Sequence, residues 1–229
     1  MPIFANSLGF IALTIAAFAA GDALYTCLGK IPVLQPVMLS TVVLVALLLI
    51  TGFPYSRYLQ ATSPLHSLLG PAVVALAVPL YENVHKARVI LLPILLATLL
   101  GGIAVTGGAL LLGRVFMLSP LMERALSTKS VTTPIALSMA DKIGGSVSLT
   151  VLGVFVTGLA GVMLTPFLLK AFGIDDPAVK GFTLGLTSHT FGITRAVEFG
   201  SEAVAFATLG MVLMGCASAV LVPAIFCFF

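Results

Sequence analysis

Ser127-Thr128-Lys129-Ser130-Val131-Thr132-Thr133-Pro134 is the stretch that decides how this chain is read. It sets hydroxyls and an ammonium in a chain that is 59% hydrophobic and only 8% charged. It ends in a helix breaker, and Ile135-Ala136-Leu137 then resume apolar sequence. Soluble domains carry about 25% charged residues. Charge this sparse over 229 residues, with a mean hydropathy of +1.19, marks a polytopic membrane protein. Polar backbone and side chains lie at membrane depth only if protein buries them or they line a wet cavity. The stretch therefore reads as half of a substrate site in a transporter.

The sequence on either side has a matching order. Membrane helices need roughly 20 apolar residues. Spans of that kind are expected at 5–28, interrupted only by Asp22, and at 33–53, with Pro54–Tyr58 as an interfacial loop. Ser63-Pro64, Ser119-Pro120 and Asp176-Pro177 are helix starts, each a capping residue followed by proline at the first helical position. They recur in steps of 56 and 57 residues. Each leads into a helix interrupted by Gly or Pro, near 65–81, 121–142 and 177–198, with Glu82, His85, Lys86 and Arg88 as a polar turn after the first. Uninterrupted spans follow at 89–112, 147–170 and 203–228.

The reading is an all-α polytopic membrane protein of seven to eight transmembrane segments. It includes interrupted or re-entrant helices and is transporter-like, with internal repeats. Residues 1–62 form an N-terminal hairpin for scaffolding or oligomerisation, and 63–229 the core bundle. Any array of hairpins has rough periodicity, so duplication and simple hairpin spacing both account for the steps. If eight segments cross, Arg57, Arg114, Arg124, Lys170 and Lys180 share one side and Lys30, Lys86, Arg88 and Lys142 the other. Five against four sets no orientation under the positive-inside rule. Gly101-Gly102 and Gly107-Gly108 suit close helix contacts.

A broken helix exposes unpaired backbone N–H groups, and the positive end of its dipole, at the start of its second half. Such an end binds carboxylate or phosphate. The breaks are placed at Gly70, Pro71, Pro134 and Gly192. Around Pro134, Lys129 brings charge and Ser130, Thr132 and Thr133 bring hydroxyls. Around Gly192 stand Ser188, His189, Thr190 and Thr194, with Arg195 able to clasp a carboxylate through two hydrogen bonds. Facing breaks would hold a small anion near the midplane. Plainer roles stand beside these. Lys129 can snorkel to the interface. Arg195 can pair with Glu198 or Glu202, and only the first has helical spacing. His189 can be a hydrogen-bonded core residue or a proton relay. Ser and Thr can simply bond helix carbonyls. Asp22 is either an intramembrane acid with a function or, with Gly21, the end of a short helix.

Other chemistries find no residues to carry them. There is no Ser–His–Asp spacing, metal quartet or nucleotide-binding glycine loop, so the expectation is no enzyme, no metal and no cofactor. A net charge of +3 is too small and dispersed for nucleic acid. Cys27, Cys216 and Cys227 lie singly in apolar segments and read as small core residues. Tyr25, Tyr55, Tyr58 and Tyr81 are candidate interfacial anchors. No signal peptide is expected at the N-terminus.

Four blocks carry a family resemblance: Leu68–Tyr81 with its Gly70-Pro71, Lys129–Ala136, Ile143-Gly144-Gly145 and Ser188–Ala196. In order and over nearly the whole chain, they resemble the LrgB/CidB family of membrane proteins. The resemblance implies one of two roles. The first is transport of a small monocarboxylate, glycolate and glycerate in plastid members and pyruvate in some bacterial ones. The second is a holin-like pore or a regulator of murein hydrolase export and lysis. It further implies the bacterial inner membrane, surrounding membrane lipid, and a separate LrgA/CidA-like membrane subunit, a homo-oligomer, or both. Thr190-Phe191 follow His189 where the family usually has a small residue, which would change the size of a pocket there.

Overall fold

The computed structural model describes residues 7–228, and among them every regular element is helical. The expected start of the first span at residue 5 and the side chain of Cys227 lie outside the described parts. The chain forms two compact units, Met1–Ala75 and Leu76–Phe229.

In the first unit, α1 (Ser7–Cys27) and α2 (Pro36–Thr51) are antiparallel. Late in α1, Gly21 lies where an added Cβ would be 3.0 Å from the Pro36 carbonyl oxygen. Early in α1, Phe10 meets Phe53, with ring centroids 4.8 Å apart. The expected loop after α2 instead begins α3 (Tyr55–Ala61), and Tyr58 is docked on Thr14 through a 2.9 Å hydroxyl pair. Tyr25 is buried, so neither tyrosine is free for an interfacial role, whereas Tyr55 stays exposed. Asp22 is exposed within α1, which runs on past it to Cys27. Cys27 is exposed, as is Cys216 in the second unit, which corrects the expectation of core cysteines. The physical reason is the solvent: a small apolar side chain gains nothing from leaving lipid for the interior.

The interrupted region 65–81 comprises α4 (Ser63–Ser67), α5 (Leu69–Ala75) and α6 (Ala77–Glu82). Its breaks fall at Leu68 and Leu76, so Gly70 and Pro71 lie inside α5. Proline explains the offset. Pro71 and Pro79 have no N–H for the carbonyls four residues earlier, Ser67 and Ala75, and each helix stops at that carbonyl.

In the second unit, α7 (Val84–Val89) turns the expected polar loop into a helix. Then come α8 (Leu91–Val115), α9 (Pro120–Ser127), α10 (Thr133–Ile143), α11 (Val147–Ala171), α12 (Pro177–Ala196) and α13 (Ser201–Phe228). Ser119 caps α9 by accepting from the Met122 N–H, and Asp176 caps α12 by accepting from Ala178 and Val179. Helix α13 packs against α6, α8, α10 and α12, and α11 against α9, α10 and α12. Gly102 receives Leu221 and Gly101 receives Leu186, but Gly107 and Gly108 meet nothing.

Among the described residues, five stretches are long and apolar enough to cross a membrane: Ser7–Cys27, Ser63–Glu82, Leu91–Val115, Val147–Ala171 and Ser201–Phe226. Pro36–Thr51 is a shorter apolar helix. The outer surface is apolar, with Leu92, Leu100, Phe167 and Val220 all exposed. The protein is a multi-pass helical membrane protein.

Candidate functional site

The two interrupted elements of the second unit turn back on themselves. In α12 the helical path fails at His189, with φ 44° and ψ −123°. Those angles are close to the first central position of a type II′ turn, which reverses a chain and normally holds glycine. Three residues later, Gly192 rests on the Leu184 carbonyl and the Gly185 nitrogen, and a Cβ there would overlap that carbonyl. In a straight helix, residues eight apart are about 12 Å apart along the axis. Gly192 is thus the place where the returning limb crosses the entering one, while the break itself is at His189. Both limbs emerge at one end: Lys180 Nζ lies 5.5 Å from the Phe199 ring centroid. At that end Lys86 also binds Glu202 at 2.7 Å and Asp176 at 3.3 Å, joining the starts of α12 and α13.

The α9–α10 pair reverses at the opposite end. Helix α9 stops at Ser127, and Ser127 and Thr128 donate to the Arg124 and Ala125 carbonyls. Residues 128–132 form the turn, and α10 begins at Thr133 with Pro134 in its first turn. It ends at Gly144, in the left-handed region at φ 70°, beside the Arg124 guanidinium. Gly145 packs on the Ala125 nitrogen. The return changes the division of charges that eight crossings would give. Arg124 and Lys142 share one end of this unit, and Lys86, Lys170 and Lys180 share the other.

Helix α11 runs between the two tips. Its Gly153 faces the Lys129 Cβ, its Gly158 faces the His189 and Phe191 rings, and its Gly161 faces Ser188. Gly153 and Gly161 are eight residues apart, about 12 Å or two turns of helix, with Gly158 between them, so the tips meet α11 about one and a half to two turns apart. Val154 joins them: its side chain packs with Val131 of the first turn, and its backbone is in hydrogen-bonding reach of the His189 imidazole. Gly158 also makes room for Phe191, whose ring stands edge-on to Phe155 and near His189.

The expected site residues divide accordingly. Lys129 reaches Ser130 Oγ at 3.4 Å, and among the described residues it makes no salt bridge. Ser130 is buried, and Thr132 and Thr133 are half-buried where α10 begins. The Thr132 side chain makes no capping bond. Ser188 and His189 are buried at the other tip, and among the described residues His189 Nε2 has no hydrogen-bond partner. Thr190, Thr194 and Arg195 lie elsewhere. Thr190 is exposed with its hydroxyl 3.9 Å from Met211 Sδ, and Thr194 is exposed and donates to the Phe191 carbonyl. Arg195 binds Glu198 at 2.7 Å and lies over Phe199, while Glu202 serves Lys86 instead.

Sequence reasoning passed over three threonines. Thr165, Thr187 and Ser188 form a hydroxyl row with steps of 3.1 Å. Thr150 on α11 is fully buried with an unpartnered Oγ1. The available signal was the spacing of Thr150, Gly153, Gly158, Gly161 and Thr165, a small and polar face on one helix. A groove of about 320 Å³ runs beside α10, from Pro134 and Ser138 to Lys142, against Ala219 and Pro223 of α13. No group of three or more metal-binding side chains is found among the described residues.

Comparison with known proteins covers most of the chain. The model of the LrgB-like family matches residues 14–228. Protein YxaC of Bacillus subtilis, itself uncharacterised, is 36% identical over 203 residues, covering 89% of this chain and 88% of its own. The holin-like protein CidB of Staphylococcus aureus is 32% identical, and that of Staphylococcus epidermidis 30%, each covering 86% of both chains. No solved structure matches significantly. With the match spanning both the N-terminal unit and the two opposed hairpins, the chain belongs to the LrgB-like family.

Proposed function

We propose that this protein carries a small monocarboxylate of the glycolate, glycerate or pyruvate kind across the bacterial inner membrane by alternating access. The observation that carries this reading is the approach of two chain reversals to one face of α11. Lys129 supplies positive charge with no carboxylate in salt-bridge range among the described residues. The start of α10 adds backbone N–H groups at the positive pole of a helix, with Ser130, Thr132 and Thr133 as hydroxyl donors. The second tip adds Ser188 and His189. Arg195 joins only if substrate draws it from Glu198. Hairpins entering from opposite ends let one loosen while the other stays closed, which is the movement alternating access needs. The groove along α10 leads from Lys142 to Pro134 and supports an aqueous approach on that side. An LrgA/CidA-like membrane subunit is the proposed partner, with residues 1–62 as the scaffold for it or for a second copy.

The name of the CidB relatives favours a second reading, a holin-like pore or regulator of lysis. Flux through the purified protein in liposomes, with and without a partner subunit, separates the two. A carrier gives saturable glycolate uptake that unlabelled glycolate competes and that excludes glucose and dye. Equal flux of glycolate, glucose and dye overturns the carrier reading.

A further inference from the structure

His189 combines three properties that a purely structural residue does not need together. It occupies the reversal point of a hairpin with φ 44°, which a non-glycine residue adopts only under strain. It is 2% exposed, and among the described residues its buried Nε2 has no hydrogen-bond partner. Among the described residues no carboxylate pairs with it. From α11 it meets Gly158 and the Val154 backbone, and Phe191 and Ser188 flank it on its own element. The α9–α10 turn brings Lys129 to Gly153, and α13 brings Met211 to the neighbouring Thr190. The nearest acid on its own element's continuation, Glu198, is held by Arg195.

We propose that His189 carries a coupling proton, so that each monocarboxylate anion crosses together with one H⁺. This rests on the carrier reading above. Water on the open side gives a proton to the Nε2 lone pair, and the new N–H donates to the substrate carboxylate. On the far side the carboxylate leaves to water, the N–H bond breaks, its electron pair returns to Nε2, and the proton passes to water. One anion and one proton have crossed, with no net charge moved. A buried imidazolium without an anion is costly, as is a buried carboxylate without a cation. Each therefore strengthens the binding of the other by the same factor.

The test uses the full chain in liposomes with labelled glycolate and a pH gradient, acid outside. Wild type should accumulate glycolate toward the imposed proton ratio and lose the accumulation when a protonophore is added. His189→Asn, which tolerates positive φ, should accumulate none, its ratio falling to one, and whatever glycolate flux it keeps should no longer respond to the pH gradient. Accumulation by His189→Asn equal to wild type overturns the proposal. Wild-type flux that ignores the gradient overturns it while leaving the carrier reading intact, and absence of any glycolate flux overturns both. Should the variant not fold, wild type in weakly buffered detergent decides. Glycolate binding should take up a proton and raise the pH, and binding at constant pH overturns the proposal.

Discussion

Gly192 is the residue on which the re-entrant form of α12 depends most narrowly. Its hydrogen is all that separates the returning limb from the Leu184 carbonyl. Gly192→Ala should therefore destabilise the protein by about 1–3 kcal/mol, the usual range for overpacking. Gly107→Ala is the contrast, because nothing lies within 4 Å of that position. It should be neutral or slightly stabilising, since alanine favours helix by up to about 1 kcal/mol over glycine. Thermal unfolding of both variants in detergent measures the difference; equal melting temperatures would contradict the crossing at Gly192. The sequence shows Gly192 as an interruption, but the reversal three residues earlier is invisible in it. A histidine carries no mark of positive φ; the tertiary packing of its ring on Gly158 appears only in the fold. Thr150 was hidden for a related reason, since one threonine in a membrane helix ordinarily bonds the carbonyl four residues back.

At the scale of elements, the legible features were those with local causes. Ser119 and Asp176 cap their helices as the Ser-Pro and Asp-Pro signals require. The proline breaks were legible in kind but displaced, because the lost hydrogen bond acts on a carbonyl four residues upstream. Whether a limb crosses or returns was not legible. Limb length is the closest clue: α9 and α10 have 8 and 11 residues, and at 1.5 Å per residue these reach about 12 and 16 Å, half a bilayer core. The α12–α13 seam is also half legible. Gly181 and Gly185 form a small-residue pair, but their partners Ala203 and Ala207, against whose backbone they lie, look like ordinary alanines in sequence.

The ends of that seam are tied by Lys86, and here a pH dependence follows. The hydrogen bond to Glu202 chiefly holds the Lys86 ammonium above its ordinary 10.5, against burial. Burial pushes the Asp176 carboxyl up, but the Val179 and Ala178 N–H groups and Lys86 together bring it below 3.8. A depressed carboxyl contributes stability above its unfolded value, lost as pH falls through the folded one. A raised lysine contributes below 10.5, lost as pH rises past it. Wild type should thus be steady between these limits and weaken on acidification below about pH 4. Lys86→Met should flatten part of that acid slope and lower stability at neutral pH by about 1 kcal/mol or less, because both partners are partly exposed. Melting temperatures from pH 3 to 8 check this, and identical slopes in the two proteins would contradict the tie.

For the whole molecule, the decisive arrangement is two hairpins entering from opposite ends, with their tips on one face of α11. Lys129 at one tip and His189 at the other bring a positive charge and a buried nitrogen, unpartnered among the described residues, to points about one and a half turns apart on that helix. Each proposed role of the family, carrier or pore, uses the same helices but makes different demands on this point. A carrier needs a ligand to bind there; a pore does not. The direct measurement is glycolate-dependent thermal stabilisation of the purified protein, wild type against Lys129→Ala and the double variant Thr132→Val with Thr133→Val. Stabilisation follows ligand concentration over Kd, so the shift reports affinity at the site. The account predicts a saturable shift in wild type, reduced in the threonine variant and at least about tenfold weaker in apparent affinity in Lys129→Ala, equivalent to 1.4 kcal/mol of lost binding. An undiminished shift in Lys129→Ala, or none in wild type, would contradict it.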